Sequence, residues 1–246
     1  MVLGIAAYAA FLVATIPASL VAARVAAASG GAVEITDPQG TLWSGSARAA
    51  FLAPAGHVAL DRVAWRIAPA RLAAGNLAFN VTAEARGLDA KLTIGRGFSS
   101  WVLGSVEARI DASLAAMFAP LFAAAHPGGT FIVASPGLQL SDDGTARGKA
   151  DVAWNDAALS LSDVKPLGTY SLVATADGGP TAFTVATRNG PLQLSGHGTF
   201  APPSRVAFTG EARGEGDQAR ELESLLDLMG PRRTGGARAL EIRIQR

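Results

Sequence analysis

The side chains that could take part in chemistry are few and far apart in this sequence. Its three histidines are His57, His126 and His197, and none has a second histidine or a carboxylate at metal-ligand spacing, which favours solvent-facing side chains over a metal site. The chain has no cysteine, which excludes a disulfide framework, a zinc–thiolate cluster and a thiol nucleophile. The sequence therefore predicts neither a metal nor a cofactor.

Other short patterns also lack a catalytic or ligand-binding signature. Ser44 has Leu42 two positions before it, where a hydrolase nucleophile elbow needs glycine. The acidic pair in residues 142–144 adjoins a glycine, which is typical of a turn and supplies too few oxygen ligands for calcium. The glycine-flanked segments 95–97 and 214–216 lack the phosphate-loop and dinucleotide patterns, and bulges or turns explain them. We therefore predict no catalytic residue and no enzyme.

The amino-acid composition limits the fold and the functional class that this chain can have. The chain has 246 residues, of which 49% are hydrophobic and 17% charged, with 28 glycines and 13 prolines. This lean, turn-rich composition fits one large β domain or two smaller ones. The net charge of +1, without a basic run, excludes the electrostatic footprint of a nucleic-acid-binding protein.

The amino-terminal segment is rich in apolar residues. Residues Val2 to Ala23 contain no charge, and at about 1.5 Å per residue this run covers the hydrocarbon core of a bilayer, roughly 30 Å. A cleaved signal peptide is the alternative, because small residues around positions 21–28 offer cleavage sites, although signal peptides usually have shorter apolar regions. We predict a retained transmembrane anchor over residues 1–24, kinked at Pro17, followed by a linker over residues 25–31.

Alternating apolar and polar residues follow the linker and predict antiparallel strands with one buried face. The clearest cases are residues 76–86, 191–200 and 240–245. Turn residues separate the strands, and the Asn-Gly pair at 189–190 is the strongest hairpin pattern. The other predicted turns lie at residues 37–38, 142–144 and 177–180.

Two segments have helical periodicity instead. Residues 111–125 predict a helix that Pro120 kinks or splits, and residues 217–229 predict a helix that ends at Gly230. Each is followed by a double glycine and a strand. This shared order predicts an internal duplication, with β units over residues 32–135 and 136–246, that builds one elongated antiparallel sheet.

One stretch, GTLWSGSA, opens the first unit and is interpreted as a structural motif. Small residues around its tryptophan predict close packing of a large ring at the first strand of the domain. In the two units, Trp65 and Trp154 are predicted to occupy equivalent strands, each ahead of a strand that a glycine opens, Gly75 or Gly168. The candidate motif residues are Gly40, Thr41, Leu42, Trp43, Ser44, Gly45, Trp65, Trp154 and Gly168.

The order of these motifs resembles the type II secretion system protein N family. The resemblance covers almost the whole chain after the apolar segment, and the chain departs from the family pattern in lacking basic residues before that segment. The residues that carry it are GTLWSGSA, Val63, Trp65, Pro69, Leu72, Gly75 and Leu77 in the first half, and Val152, Trp154, Pro166, Leu167, Gly168, Tyr170, Gly190, Pro191, Leu192, Gly196, His197 and Gly198 in the second.

This resemblance implies a single-pass inner-membrane protein whose β domain lies in the periplasm. Such a protein would be an accessory component of the type II secretion system, with the secretin or inner-membrane platform proteins as partners and no enzymatic activity. A sheet with unpaired edges suits binding by strand addition.

Two alternatives remain open at this stage. The chain also resembles AsmA-type periplasmic proteins, in which a curved sheet offers an apolar groove to lipids; an open trough would then replace a closed core. The trough would be lined by Leu77, Phe79, Val81, Leu192, Leu194 and Phe200. The second alternative is a periplasmic β domain without a specific task.

Overall fold

A single antiparallel sheet dominates the computed structural model, which describes residues 8, 11–54, 56–69, 77–97, 100–118, 123–201, 205–233 and 235–244. Its thirteen strands follow one another in chain order, each paired with the next. The strands are β1 Val33–Gly40, β2 Ser44–Ala53, β3 Gly56–Ile67, β4 Leu77–Ala85, β5 Leu88–Arg96, β6 Ser100–Asp111, β7 Gly128–Ser141, β8 Ala146–Ala158, β9 Gly168–Asp177, β10 Thr181–Asn189, β11 Leu192–Ala201, β12 Arg205–Gly214 and β13 Arg238–Ile244. The predicted mainly β fold is confirmed.

Short helices accompany the sheet: α1 Ala18–Ala28, α2 Ala112–Ala116 and α3 Glu223–Met229, with a 3₁₀ turn at Asp217–Ala219. Of the helix predicted over residues 111–125, α2 covers Ala112–Ala116 and residue 123 is also helical. Residues 119–122, including Pro120, at which a kink or split is predicted, lie outside the described part of the chain. The helix predicted over residues 217–229 is divided into the 3₁₀ turn and α3.

The strand register gives the sheet one apolar face. Phe79 of β4 lies opposite Ile94 of β5, which lies opposite Leu103 of β6 and then Leu138 of β7. Because directly paired residues share a face, this row is continuous across four strands. The alternation that predicted half-buried strands therefore sorts these apolar side chains to the same side.

Two buried clusters lie on this apolar face beneath the short helices. Leu114 of α2, with Met117 beyond it, packs on a cluster that includes Val58 and Leu60 of β3. Leu225 and Leu226 of α3 pack with residues of β11 and β12. Both helices adjoin the same edge of the sheet, because α2 follows the end of β6 and α3 precedes the start of β13.

The amino-terminal segment is described only in part, since residues 1–7, 9 and 10 lie outside the described residues. Residues 11–14 are helical, Pro17 forms a bridge with Thr41, and α1 runs from Ala18 to Ala28, so the last helical residues occupy part of the predicted linker. Within the described residues, no helix has both the length and the apolar character to cross a membrane.

The turn predicted at residues 37–38 is wrong, because both residues lie within β1. The register with β2 shifts between Thr36 and Gln39, and Asp37 has a φ of 51°. A β-bulge therefore takes the place of a turn, since aspartate tolerates the left-handed region and proline is tolerated on an edge strand. The other predicted turns, at residues 142–144, 177–180 and 189–190, connect consecutive strands as expected.

The sheet continues across the predicted boundary between units. Residues 135 and 136 both lie within β7, which stays paired on both sides of this point, with a register shift against β8 between Ala134 and Gly137. Trp65 lies in β3 and Trp154 in β8, so both occupy strands, but three strands separate the first from its following helix and four separate the second. The duplication stays a prediction, and Gly75 lies outside the described residues.

Candidate functional site

The GTLWSGSA motif spans the turn between β1 and β2: Gly40 ends β1, residues 41–43 form the turn, and Ser44 begins β2. Trp43 therefore lies in the turn and not in a first core strand. Gly40 ends β1 with a φ of 87°, and the Thr41 hydroxyl accepts hydrogen bonds from the backbone N–H groups of Trp43 and Ser44, at 3.3 Å each. Trp43 is half-buried in this turn. Thr41 therefore stabilises the turn that contains Trp43 through hydrogen bonds from its side chain to the backbone.

The ring that packs against the glycine of the motif belongs to Trp65. Its indole N–H donates to the carbonyl oxygens of Thr41 and Leu42, at 3.1 Å each. Gly45 pairs with Trp65 across β2 and β3, and a Cβ at Gly45 would lie 2.6 Å from Cζ2 of that ring. The motif therefore requires glycine because an aromatic ring covers it.

The same turn holds the amino-terminal segment. The Trp43 indole N–H donates to the carbonyl of Val13 at 2.8 Å, and the Leu42 N–H donates to the carbonyl of Ile16 at 2.9 Å. These bonds fix the point where residues 11–17 meet the sheet. The sequence contains no pattern that predicts this docking.

Trp154 and Gly168 are not brought together with the turn motif. The Trp154 indole N–H donates to the carbonyl of Gly128 at 2.9 Å, at the start of β7, and the ring contacts Phe131 and Tyr170. Gly168 has a φ of 153° and begins β9. Because strands alternate in direction, this cluster lies toward the edge opposite the β1–β2 turn.

Tyr170 fixes that second cluster through its hydroxyl group. The hydroxyl lies 3.2 Å from the carbonyl oxygen of Leu167 and 3.0 Å from that of Leu192. Burial raises the pKa of Tyr170 well above its ordinary value, so the phenol remains a neutral hydrogen-bond donor. The cluster is a structural anchor.

The residues considered for chemistry stay apart in the structure. His57, His126 and His197 are exposed, and among the described residues no group of three histidine, cysteine or acidic side chains could hold a metal ion. Asp143 accepts hydrogen bonds from the Thr145 N–H and hydroxyl, at 2.9 and 2.8 Å. The acidic pair therefore belongs to a turn, as its sequence indicates.

Asp142 instead joins two strand connections. Its carboxylate accepts two hydrogen bonds from the Arg96 guanidinium, at 2.6 and 2.8 Å, and the same guanidinium lies 5.2 Å from the centre of the Trp101 ring. The hydrogen bond to Arg96 holds the pKa of Asp142 below its ordinary value and raises that of Arg96. The sequence did not predict this group, because its members are up to 46 residues apart.

The last strand supplies an unpaired edge. β13 pairs with β12 on one side; on the other, Arg238 and Ala239 pair with Arg232 and Pro231, and in the described part of the chain no strand lies beside residues 240–244. Ile242 and Ile244 of this strand are 50% and 39% exposed. A groove of about 520 Å³ adjoins the β1–β2 turn, and one of about 440 Å³ adjoins Ile244. The described surface thus offers binding features: a strand edge, shallow grooves and an apolar face.

Comparison with known proteins supports the resemblance seen in the sequence. The family model for type II secretion system (T2SS), protein N, matches residues 31–241, which is nearly the whole chain. No curated protein and no solved structure matches the chain significantly. The matched range includes the whole sheet except the last residues of β13, together with the turn that Trp43 and Trp65 organise. The chain therefore belongs to the type II secretion system protein N family.

Proposed function

We propose that this protein is an accessory component of the type II secretion system that binds partner subunits at the inner membrane. In this proposal the apolar amino-terminal segment ahead of the contact at Val13 holds the chain in the membrane, and the β-sheet lies in the periplasm. Family membership supports the assignment to the secretion machine. The uncharged run in the sequence supports the anchor. The role is binding, and it assists the export of folded proteins through the outer membrane.

The observation that carries this proposal is the free edge of β13. The Ala239 N–H points away from β12, because it donates to the carbonyl of Pro231 at 3.0 Å. Backbone groups alternate in direction along a strand, so those of Glu241 and Arg243 also point away from β12. The outward groups of Glu241 and Arg243 have no backbone partner among the described residues, and they are the template that an added strand requires.

Side chains at the same edge fit a partner strand. Ile242 and Ile244 are exposed on the apolar face, while Glu241 and Arg243 are exposed on the other. An isolated edge with charged residues resists uncontrolled pairing, because a wrong partner would desolvate those charges. A partner strand from the secretin or from an inner-membrane platform protein would supply matching apolar and charged side chains.

Substitution of Arg243 tests this proposal. Arg243→Pro removes the outward N–H and leaves the ladder to β12 intact, whereas Arg243→Ala removes only the charge. We expect Arg243→Pro to reduce export of a secreted protein at least tenfold, while Arg243→Ala retains most of it. A photoreactive residue at Ile242 should crosslink to a secretion subunit in native membranes. Equal export by both variants, without a subunit crosslink, would overturn strand addition.

The two-unit organisation is part of this proposal. Helix α2 precedes β7, as α3 precedes β13. An internal duplication would account for that shared order, with units over residues 32–135 and 136–246.

Lipid handling is the alternative function that the resemblance to AsmA-type proteins suggests. The half-buried apolar face of the sheet favours it.

A further inference from the structure

We propose that the apolar face of strands β4–β7 is a groove that binds the acyl chain of a membrane phospholipid. The chain would enter at the edge of the sheet that contains the β1–β2 turn, which we call the Trp43 edge. This edge comprises residues 41–43, the ends of β5 and β6 at Arg96 and Ser100, and the β7–β8 turn. The inference rests on the proposed inner-membrane location, and it concerns a different surface from β13.

The lining of this groove is hydrocarbon. Phe79, Ile94, Leu103 and Leu138 form one row, and each is half-buried although none has polar atoms in its side chain. The next row toward the opposite edge is also half-buried and contains Val81, Leu92 and Val106. A continuous apolar surface that stays accessible in the folded chain marks an interaction site.

The two ends of the groove differ. At the edge opposite Trp43, Leu114 and Met117 cover the face and complete a buried cluster. At the Trp43 edge, Trp101 and Leu140 lie opposite each other on the same face and are 48% and 47% exposed. Among the described residues, the groove is therefore capped at one end, and nothing covers it at the other.

The position of the amino-terminal segment identifies the occupant. Its carbonyl groups at Val13 and Ile16 accept hydrogen bonds from Trp43 and Leu42, so the segment meets the sheet at the open end of the groove. Phe11 and Leu12, which precede this contact, are exposed. With the residues that precede this contact in the bilayer, as the proposed anchor requires, the Trp43 edge is the edge nearest to the membrane. Lipid acyl chains are therefore the hydrocarbon available to the open end of the groove.

The rim and the length of the groove fit this occupant. Trp101 carries the Arg96 guanidinium over its ring, and tryptophan and arginine suit the interface between hydrocarbon and headgroups. From Trp101 to Ile110, β6 extends roughly 30 Å at about 3.3 Å per residue. One leaflet contributes about 15 Å of hydrocarbon, so an extended acyl chain fits along the strand.

A photocrosslinking experiment on the full chain in its native membrane tests the groove. A photoreactive residue replaces Phe79 in one variant and Asn80, its exposed neighbour on the opposite face, in the matched control. Mass spectrometry then measures the adducts with phospholipid. We expect at least ten times more phospholipid adduct at position 79. Equal yields at the two positions, or a second copy of this chain crosslinked at position 79, would overturn the proposal.

A second pair of variants, each combined with the photoreactive residue at position 79, tests the groove by changing a different position on the same sheet. Leu103→Trp fills the groove, whereas Glu107→Trp places the same ring on the exposed face of the same strand. We expect Leu103→Trp alone to lower the adduct at position 79 at least fivefold, with an unchanged circular dichroism spectrum. Undiminished adducts would count against the groove. A lipid adduct at position 79, with no subunit crosslink at Ile242, would overturn the strand-addition proposal and leave the groove standing.

Discussion

The indole nitrogen of Trp65 lies 3.1 Å from the carbonyl oxygen of Thr41, and this hydrogen bond ties β3 to the turn between β1 and β2. The ring lies over Gly45, where the absence of a side chain lets the two strands and the indole come together. Since Trp43 of the same turn binds the carbonyl of Val13, the contact also determines where the amino-terminal segment meets the sheet.

Replacing Gly45 should therefore destabilise the fold. A Cβ at this position would lie 2.5 Å from the Gln39 carbonyl oxygen and 2.6 Å from the Trp65 ring. We expect Gly45→Ala to lower the free energy of unfolding by about 1–3 kcal/mol, the range for overpacked sites, as measured by urea denaturation in detergent. Gly179→Ala is the control, because a Cβ there meets no atom within 4 Å. Identical urea midpoints for the two variants would contradict this account.

The second prediction concerns Arg238, which is 1% exposed and bonds to Glu223 and Asp227 of α3. The side chains of Glu223 and Asp227 are 46% and 69% exposed, whereas Arg238 is buried, so the loss of stability depends on which partner is removed. Glu223→Gln with Asp227→Asn leaves a buried guanidinium without a counter-charge, and we expect a loss of about 3–5 kcal/mol. Arg238→Met leaves carboxylates that water can solvate, and we expect a smaller loss.

Thermal unfolding of the two variants, compared with the unaltered chain, measures this asymmetry. Circular dichroism would report poorly on whether α3 stays folded in these variants, because this helix has only seven residues. Protection of the α3 backbone amides from hydrogen exchange is more specific. A larger loss of stability for Arg238→Met than for the double variant would contradict the prediction.

Much of the sheet could be predicted because its determinants are local. Period-two alternation locates β4, β11 and β13, and Asn189-Gly190 locates the connection between β10 and β11. Hairpins join neighbours in sequence, so chain order gives the strand order wherever the connection is short. The connections that contain α2 and α3 are longer, and their strands also turn out to be neighbours. The family resemblance depended on the same local motifs, and the family match confirms it.

Features that depend on distant residues could not be predicted. The spacing of Gly196 and Gly198 indicates a hairpin pattern, but their role is to lie beneath the rings of Phe208 and Phe183, which stack on each other 6.0 Å apart. The bulge at Asp37 depends on pairing with β2. Such contacts join residues whose separation in sequence has no fixed period, so the sequence pattern of one strand cannot predict them.

The third prediction is that the histidines have no role in export. His57, His126 and His197 are exposed and lie on separate elements, and His126 has a φ of 45°. The variant His57→Gln, His126→Asn, His197→Gln respects that backbone, because asparagine tolerates positive φ. We expect secretion of a cargo protein to stay within about twofold of the unaltered chain, since no metal site or general base is removed. Loss of secretion with an unchanged unfolding temperature would show that a histidine takes part.

The last prediction follows from the ion pair at the open end of the groove. The Arg96 hydrogen bond holds the pKa of Asp142 below its ordinary value of 3.8, so the folded state releases this proton more readily than the unfolded state. The stabilisation is therefore fully present above pH 3.8 and is lost as the pH falls through the folded pKa. Arg96→Gln should return the Asp142 carboxyl titration, followed by carbon-13 NMR, toward the ordinary value. Arg147→Gln is the control, because Asp142 does not depend on that side chain. An Asp142 titration that is unchanged by Arg96→Gln would mean that the carboxylate, and with it the rim of the groove, is not held by Arg96.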